Sequence, residues 1–244
     1  MITGTTPSEL LRSTLERDGA RPFLTYYDDA TGERIELSVT TFDNWVAKTA
    51  GLLRDGLQVE PGDRVVLMIP AHWQSLVLAG ACWAAGAFAV LDDAGDSPLV
   101  VVGPATLEPA PGSSETLALS LRPMGGRFTE PLPAGMLDYA AEVPSYPDRF
   151  VAYGPVDPAE PALEAHGVVT TYSGLVGQAR ERAAQLDAGP GARLLVATDD
   201  LRTALLDALL VPLVVSGSAV LVRNEIRDRR EARLASEQAQ AAEP

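Results

Sequence analysis

Val39-Thr40-Thr41-Phe42 and Val169-Thr170-Thr171-Tyr172 open the two stretches whose reading decides the fold. Each leads into an amphipathic run, to Leu57 in the first and to Leu186 in the second. A Pro-Gly turn and a short apolar segment follow: Pro61-Gly62-Asp63-Arg64-Val65-Val66-Leu67 and Pro190-Gly191-Ala192-Arg193-Leu194-Leu195-Val196. Each copy then continues into a long apolar run that ends in glycine and a second strand-like segment, Gly86-Ala87-Phe88-Ala89-Val90-Leu91 and Gly217-Ser218-Ala219-Val220-Leu221-Val222. Two copies are too few for a solenoid, but they predict two pseudo-equivalent halves. Strand, helix and strand within about thirty residues make a βαβ unit. The unbroken apolar run after Arg64 is the pattern of a parallel strand covered on both faces. The fold class predicted is α/β: two pseudo-equivalent lobes with largely parallel sheets flanked by helices. The division expected is 1–150 for the first lobe, 151–224 for the second, and 225–244 for a charged C-terminal helix or tail that frays.

Working outward, Thr6-Pro7-Ser8 starts a helix with leucines at 10, 11 and 15 on one face. Phe23–Tyr27 and Glu33–Leu37 flank a polar, glycine-containing loop and read as a β-hairpin. Thr40 or Thr41 is the expected cap of the next helix, which buries Phe42, Trp45, Val46, Thr49, Leu52 and Leu53. Trp73–Ala85 is a helix stopped by Gly86. In the middle, Leu99–Val102 and Thr116–Leu121 read as strands and Met136–Glu142 as a short helix. Ala162-Leu163 and Val168–Thr170 read as short strands joined by Glu164-Ala165-His166-Gly167. Leu201–Ser216 is an apolar helix, bent near Pro212, that returns through the strand Ser218–Arg223.

Charge and composition narrow the partners. A formal charge of −14 over 244 residues, with no basic stripe, excludes a nucleic-acid partner and disfavours anionic membrane surfaces. The apolar runs Leu76–Leu91 and Ala204–Val222 each end in a glycine followed by a strand-like run. They therefore read as core helices and not membrane spans. Cys82 is the only cysteine and sits in an apolar helix, so it reads as a buried structural thiol; no intrachain disulfide forms, which suits a cytoplasmic protein. The N-terminus lacks the basic-then-apolar pattern of a signal peptide. Lys48 is the only lysine, a bias that points to a GC-rich, actinobacterial-type genome. Any mechanism that needs a lysine must use this one, and its place on a helix reads as a solvated charge.

The order of hairpin, V-T-T-F helix, Pro61-Gly62-Asp63-Arg64-Val65 strand, apolar helix and Ala85-Gly86-Ala87 resembles the N-terminal part of the adenylate-forming superfamily. That group includes acyl-CoA synthetases, nonribosomal-peptide adenylation domains and luciferases. His166-Gly167-Val168-Val169-Thr170-Thr171-Tyr172-Ser173-Gly174-Leu175 looks like the segment that follows the family's phosphate-binding loop. The resemblance implies two stacked α/β lobes and ATP with Mg²⁺ as cofactors. It also implies a Ser/Thr/Gly-rich loop ending in Pro-Lys-Gly, whose N–H groups and lysine wrap the phosphates.

The sequence departs from that pattern where the chemistry would lie. Pro158–Gly167 contains no Ser, Thr or Lys, and its only glycine is Gly167. Near Glu164, His166 and Gly167 the phosphate-loop position looks degenerate, and Glu160 and Glu164 would repel a polyphosphate. The family's later parts, including its catalytic lysine, would fall beyond Pro244. The reading favoured is a non-catalytic relative with no catalytic residue, no cofactor and no metal, acting as an accessory that binds a small molecule or a protein. The alternative is a minimal adenylate-forming or acyl-CoA ligase-like enzyme that uses ATP and Mg²⁺ through an altered site, or one completed by another chain. A homodimer is expected, because a lobe lacking its downstream neighbour exposes apolar surface. Among other polar residues, His72 follows the first strand and reads as a near-surface helix start, with a ligand role as the alternative. Asp92, Asp93, Asp96, Asp199 and Asp200 read as caps and loop residues, with Mg²⁺ binding as the alternative.

Overall fold

Thr6 caps the first helix, α1 (Pro7–Asp18): its hydroxyl accepts the Glu9 N–H while the Glu9 carboxylate reaches back to the Thr6 N–H. The computed structural model describes residues 4–91, 97–108 and 115–242. The first copy follows as β1 (Pro22–Asp28), β2 (Glu33–Ser38), α2 (Val39–Gly51), β3 (Arg64–Met68), α3 (Trp73–Ala85) and β4 (Phe88–Val90). The middle supplies β5 (Leu99–Val102), β6 (Glu115–Ala118), β7 (Met136–Asp138) and α4 (Tyr139–Glu142). The second copy is β8 (Pro161–Ala165), β9 (Val168–Thr171), α5 (Tyr172–Gln185), β10 (Arg193–Ala197) and α6 (Leu201–Thr203). The helix continues through a π-helical stretch, Ala204–Leu210, into α7 (Val211–Val215), and β11 (Ser218–Arg223) returns. α8 (Arg230–Glu237) and β12 (Gln240–Ala241) complete the described chain.

These strands form two sheets, ordered β12-β10-β11-β1-β2 and β7-β6-β5-β3-β4-β8-β9. All neighbours are parallel except within the hairpins β1–β2 and β8–β9. The two copies exchange their hairpins. β1 of the first copy lies beside β11 of the second, and β8 of the second lies beside β4 of the first. The lobes are pseudo-equivalent, but each sheet draws on both copies, so the sheets do not follow the division 1–150 and 151–224. One face of each sheet joins a common core with α1, α2, α3, α5 and α7, which includes Leu24, Leu67, Phe42, Trp73, Leu175 and Leu213. Burial on both faces accounts for the unbroken apolar runs of β3, β5 and β11.

Three local expectations change. The cap of α2 is Ser38, whose hydroxyl accepts the Thr41 N–H at 3.1 Å, and not Thr40 or Thr41. Met136–Asp138 is an edge strand paired with β6, and only Tyr139–Glu142 is helical. Through residue 242 the tail docks on the sheet instead of fraying; Glu243 and Pro244 lie outside the described residues. Leu234 and Ala239 pack on Leu195, Val220 and Val222, and β12 adds to β10. Several of the charges that made the tail look solvated are paired. Arg233 donates to Asp29 at 2.6 Å, and Glu237 accepts from Tyr27 and Arg193.

Candidate functional site

The first place to look is the position of the expected phosphate loop. β8 runs to Ala165 and β9 starts at Val168, so His166 and Gly167 alone make the connection. Both have positive φ, 53° and 70°, as a tight hairpin turn of the primed type requires. The Glu164 carboxylate does not point at an open site: it accepts from the Arg64 guanidinium at 2.7 Å. Its carbonyl accepts the Leu91 N–H, which ties β8 to the end of β4. A turn of this length has no loop with which to surround a ligand.

The second place is the C-terminal ends of the parallel strands, where open α/β sheets hold ligands. Here the register of β2, β1 and β11 puts Glu33, Asp28 and Arg223 side by side in one row. The next row down, Ile35, Tyr26 and Leu221, joins the common core. Asp28 and Arg223 of this row lie at one end of a cleft of about 560 Å³. Asp28, Thr31 and Arg223 line it from one sheet; Met68, Pro70 and the segments 103–106 and 120–121 line it from the other. Asp28 accepts from the Ala30 N–H at 2.9 Å and the Asn224 amide at 2.8 Å. Glu33 accepts the Met124 N–H at 3.0 Å and so anchors the turn beside the cleft. Arg223 is held only loosely, 3.9 Å from Asp28 and 3.8 Å from Asp199.

Behind this row lies a cluster of buried polar groups. His72 caps α3, with Nδ1 accepting the Gln74 N–H at 3.2 Å, so its proton sits on Nε2, 3.9 Å from Glu33. Its ring packs edge-on against Tyr26 at 4.6 Å. Tyr26 Oη, His72 Nε2 and Arg223 Nε are buried with no hydrogen-bond partner among the described residues. Burial lowers the pKa of His72 and raises that of Tyr26, so both are neutral at pH 7. The arrangement suits holding a polar group by hydrogen bonds and charge. No group of three or more His, Cys, Asp or Glu side chains able to hold a metal occurs among the described residues.

The other residues singled out in the sequence fall as follows. His72 is fully buried, not near the surface. Lys48 is not a free solvated charge: it donates to the Tyr146 carbonyl at 2.7 Å and pairs with Asp148 at 3.0 Å, tying α2 to the segment after α4. Cys82 is buried, and its thiol is pushed up to about 12 by desolvation, as suits a structural residue. Asp200 caps α6 through the Thr203 N–H, whereas Asp199 accepts the Asn224 N–H beside the cleft. Asp92, Asp93 and Asp96 lie outside the described residues. Sequence reasoning missed Asp28, Glu33, Tyr26 and Arg223. Tyr26 looked like an ordinary strand residue and the others like loop or strand-end residues; the one available signal was that Arg223 ends its strand and Asp28 follows directly on its own.

With this geometry in view, comparison with known proteins is informative. Residues 11–98 match the family described as AMP-binding enzyme. A Mycobacterium tuberculosis protein named "TIGR03089 family protein" is 44% identical over 158 residues, covering 62% of this chain and 65% of that one. The family match is thus confined to the N-terminal part of the chain. Its fold is that of the N-terminal domain of FACL13 from Mycobacterium tuberculosis, at a TM-score of 0.74 and 15% identity, covering 96% of this chain and 61% of that one. A Mycobacterium tuberculosis fatty acyl CoA synthetase matches at a TM-score of 0.71 and 16% identity, over 96% of this chain and 48% of that one. The chain thus spans less than two thirds of each of these three proteins. No described helix is long and apolar enough to cross a membrane.

Proposed function

We propose that this chain is a non-catalytic relative of the acyl-CoA synthetases, an accessory that keeps the paired lobes and the cleft between them to hold a small molecule or a protein partner. One observation carries the reading: the two-residue turn His166–Gly167 stands where the family resemblance calls for a phosphate-wrapping loop. Glu164 beside it is committed to Arg64, and the turn's backbone cannot surround a triphosphate. The cleft supports a binding role, because it offers a wall of apolar residues with a few polar groups at one end, the usual make-up of a small-molecule site. ATP and Mg²⁺ do not fit these residues as cofactors. A cytoplasmic location is part of the same proposal, and the single cysteine, which allows no intrachain disulfide, supports it.

Calorimetric titration with ATP·Mg²⁺, followed by pyrophosphate exchange with a panel of carboxylic acids, tests the proposal. No heat of binding and no exchange are expected. Tight ATP binding accompanied by exchange with any acid would overturn it.

A further inference from the structure

A second cavity, of about 530 Å³, opens among α1, α2, α3, α7 and the segment 148–152, and it shares no lining residue with the strand-end cleft. Leu11, Phe42, Trp83, Leu209 and Leu213 make its wall apolar. Four charged side chains reach it: Arg12 from α1, Asp43 from α2, and Asp148 and Arg149 from the segment. Asp148 is neutralised by Lys48 at 3.0 Å. Arg12 and Arg149 are exposed at the rim, where water screens them. Asp43 differs. It is only partly exposed and makes no hydrogen bond or ion pair among the described residues. Burial pushes its carboxyl above the ordinary range, and the more distant charge of Arg12 offsets only part of that.

We propose that this cavity binds an organic ammonium ion, a protonated primary amine carried on an apolar body. The ammonium sits on Asp43 and the body lies along Trp83, Phe42 and the leucines. A carboxylate partly removed from water and lacking a partner gains more from an incoming cation than a solvated one does. The volume is that of a small-molecule site, and the chain's net charge of −14 concentrates cations near its surface. The proposal is independent of the reading of the strand-end cleft.

Isothermal titration of the full chain with n-hexylammonium, 1-hexanol and hexanoate tests it. Hexylammonium is expected to bind about tenfold or more tighter than hexanol, the scale of a charge-assisted hydrogen bond, with hexanoate weakest. Asp43→Asn should remove the preference for the amine. Ala84→Leu, which fills the cavity without changing charge, should weaken amine and alcohol alike. Circular dichroism confirms that each variant is folded. If Asp43→Asn does not fold, the wild-type pH series decides: amine affinity must rise from about pH 4 to about pH 7 as Asp43 ionises. Equal affinity for hexanol, tighter binding of hexanoate, a preference that survives Asp43→Asn, a flat pH series, or no binding of any probe would each overturn the proposal.

Discussion

Ser38 and Val168 occupy the same place in the two copies, directly before V-T-T, and this one difference resets the local structure. Ser38 offers a hydroxyl to the Thr41 N–H, so the helix begins at Val39 and V-T-T is its first turn. Val168 has nothing to offer, so Val169–Thr171 stays in β9 and Thr171 caps the helix three residues later through the Gly174 N–H. Replacing Ser38 with Ala is expected to cost about 1 kcal/mol in urea unfolding. An unchanged midpoint would mean that the cap carries no stability. The glycines differ in the same way. Gly86 supplies the left-handed turn after α3 at φ 79°, whereas after α7 that role falls to Ser216 at φ 54°. Gly217 has a different reason to be glycine: an added Cβ would lie 2.1 Å from the Ala192 carbonyl oxygen. These distinctions are invisible in a V-T-T or Gly match, because the deciding atom lies one residue outside the motif or on another strand.

Most elements were legible because their patterns are local. The apolar runs of β3 and β11, the turn glycines and the spacing of α2 each state their structure within a dozen residues. The tail was not legible, since Arg233 and Glu237 look like solvent-facing charges until Asp29, Tyr27 and Arg193 are placed beneath them. The cleft was hidden for a related reason. Glu33, Asp28 and Arg223 become a row only when β2, β1 and β11 are aligned. The tail's charges also give it a pH response. Burial acts to raise the pKa of Glu237, but hydrogen bonds from Tyr27 and Arg193 and the charges of Arg193 and Arg34 outweigh it and hold the value below the ordinary carboxylate range. Asp29 is likewise lowered, with burial opposed by Arg233, the Ile226 N–H and Arg229. A group depressed in the folded state stabilises above its unfolded pKa, and that contribution is lost as pH falls through the folded value. Amide protection factors across α8 and β12 should therefore fall in acid before those of the core do. Glu237→Gln should lower the protection factors at neutral pH and make them less dependent on acid. Equal slopes for variant and wild type would rule out Glu237 as the titrating anchor.

At the scale of the molecule, the exchanged hairpins bind the lobes into one unit. Neither sheet is complete without strands from both copies, and their inner faces share one core. Calorimetric and van't Hoff enthalpies of unfolding should therefore agree, with a single transition. Two resolved transitions would show that the lobes are energetically separate. The repeat made two lobes readable, but no local pattern says that a hairpin will leave its own copy, since pairing between distant strands is decided by the sheet edges available and not by the strands' own residues. The exchange also imposes an order on biosynthesis. Leu24 in β1 pairs with Ala219, so a strand made near the start of translation waits for one made near residue 220. At about 5–20 residues per second that interval is on the order of 10–40 s. Throughout it the apolar edge of Phe23, Leu24 and Tyr26 lacks the neighbour that finally covers it, so the interval between the two strands is a window of exposure set by the order of the chain.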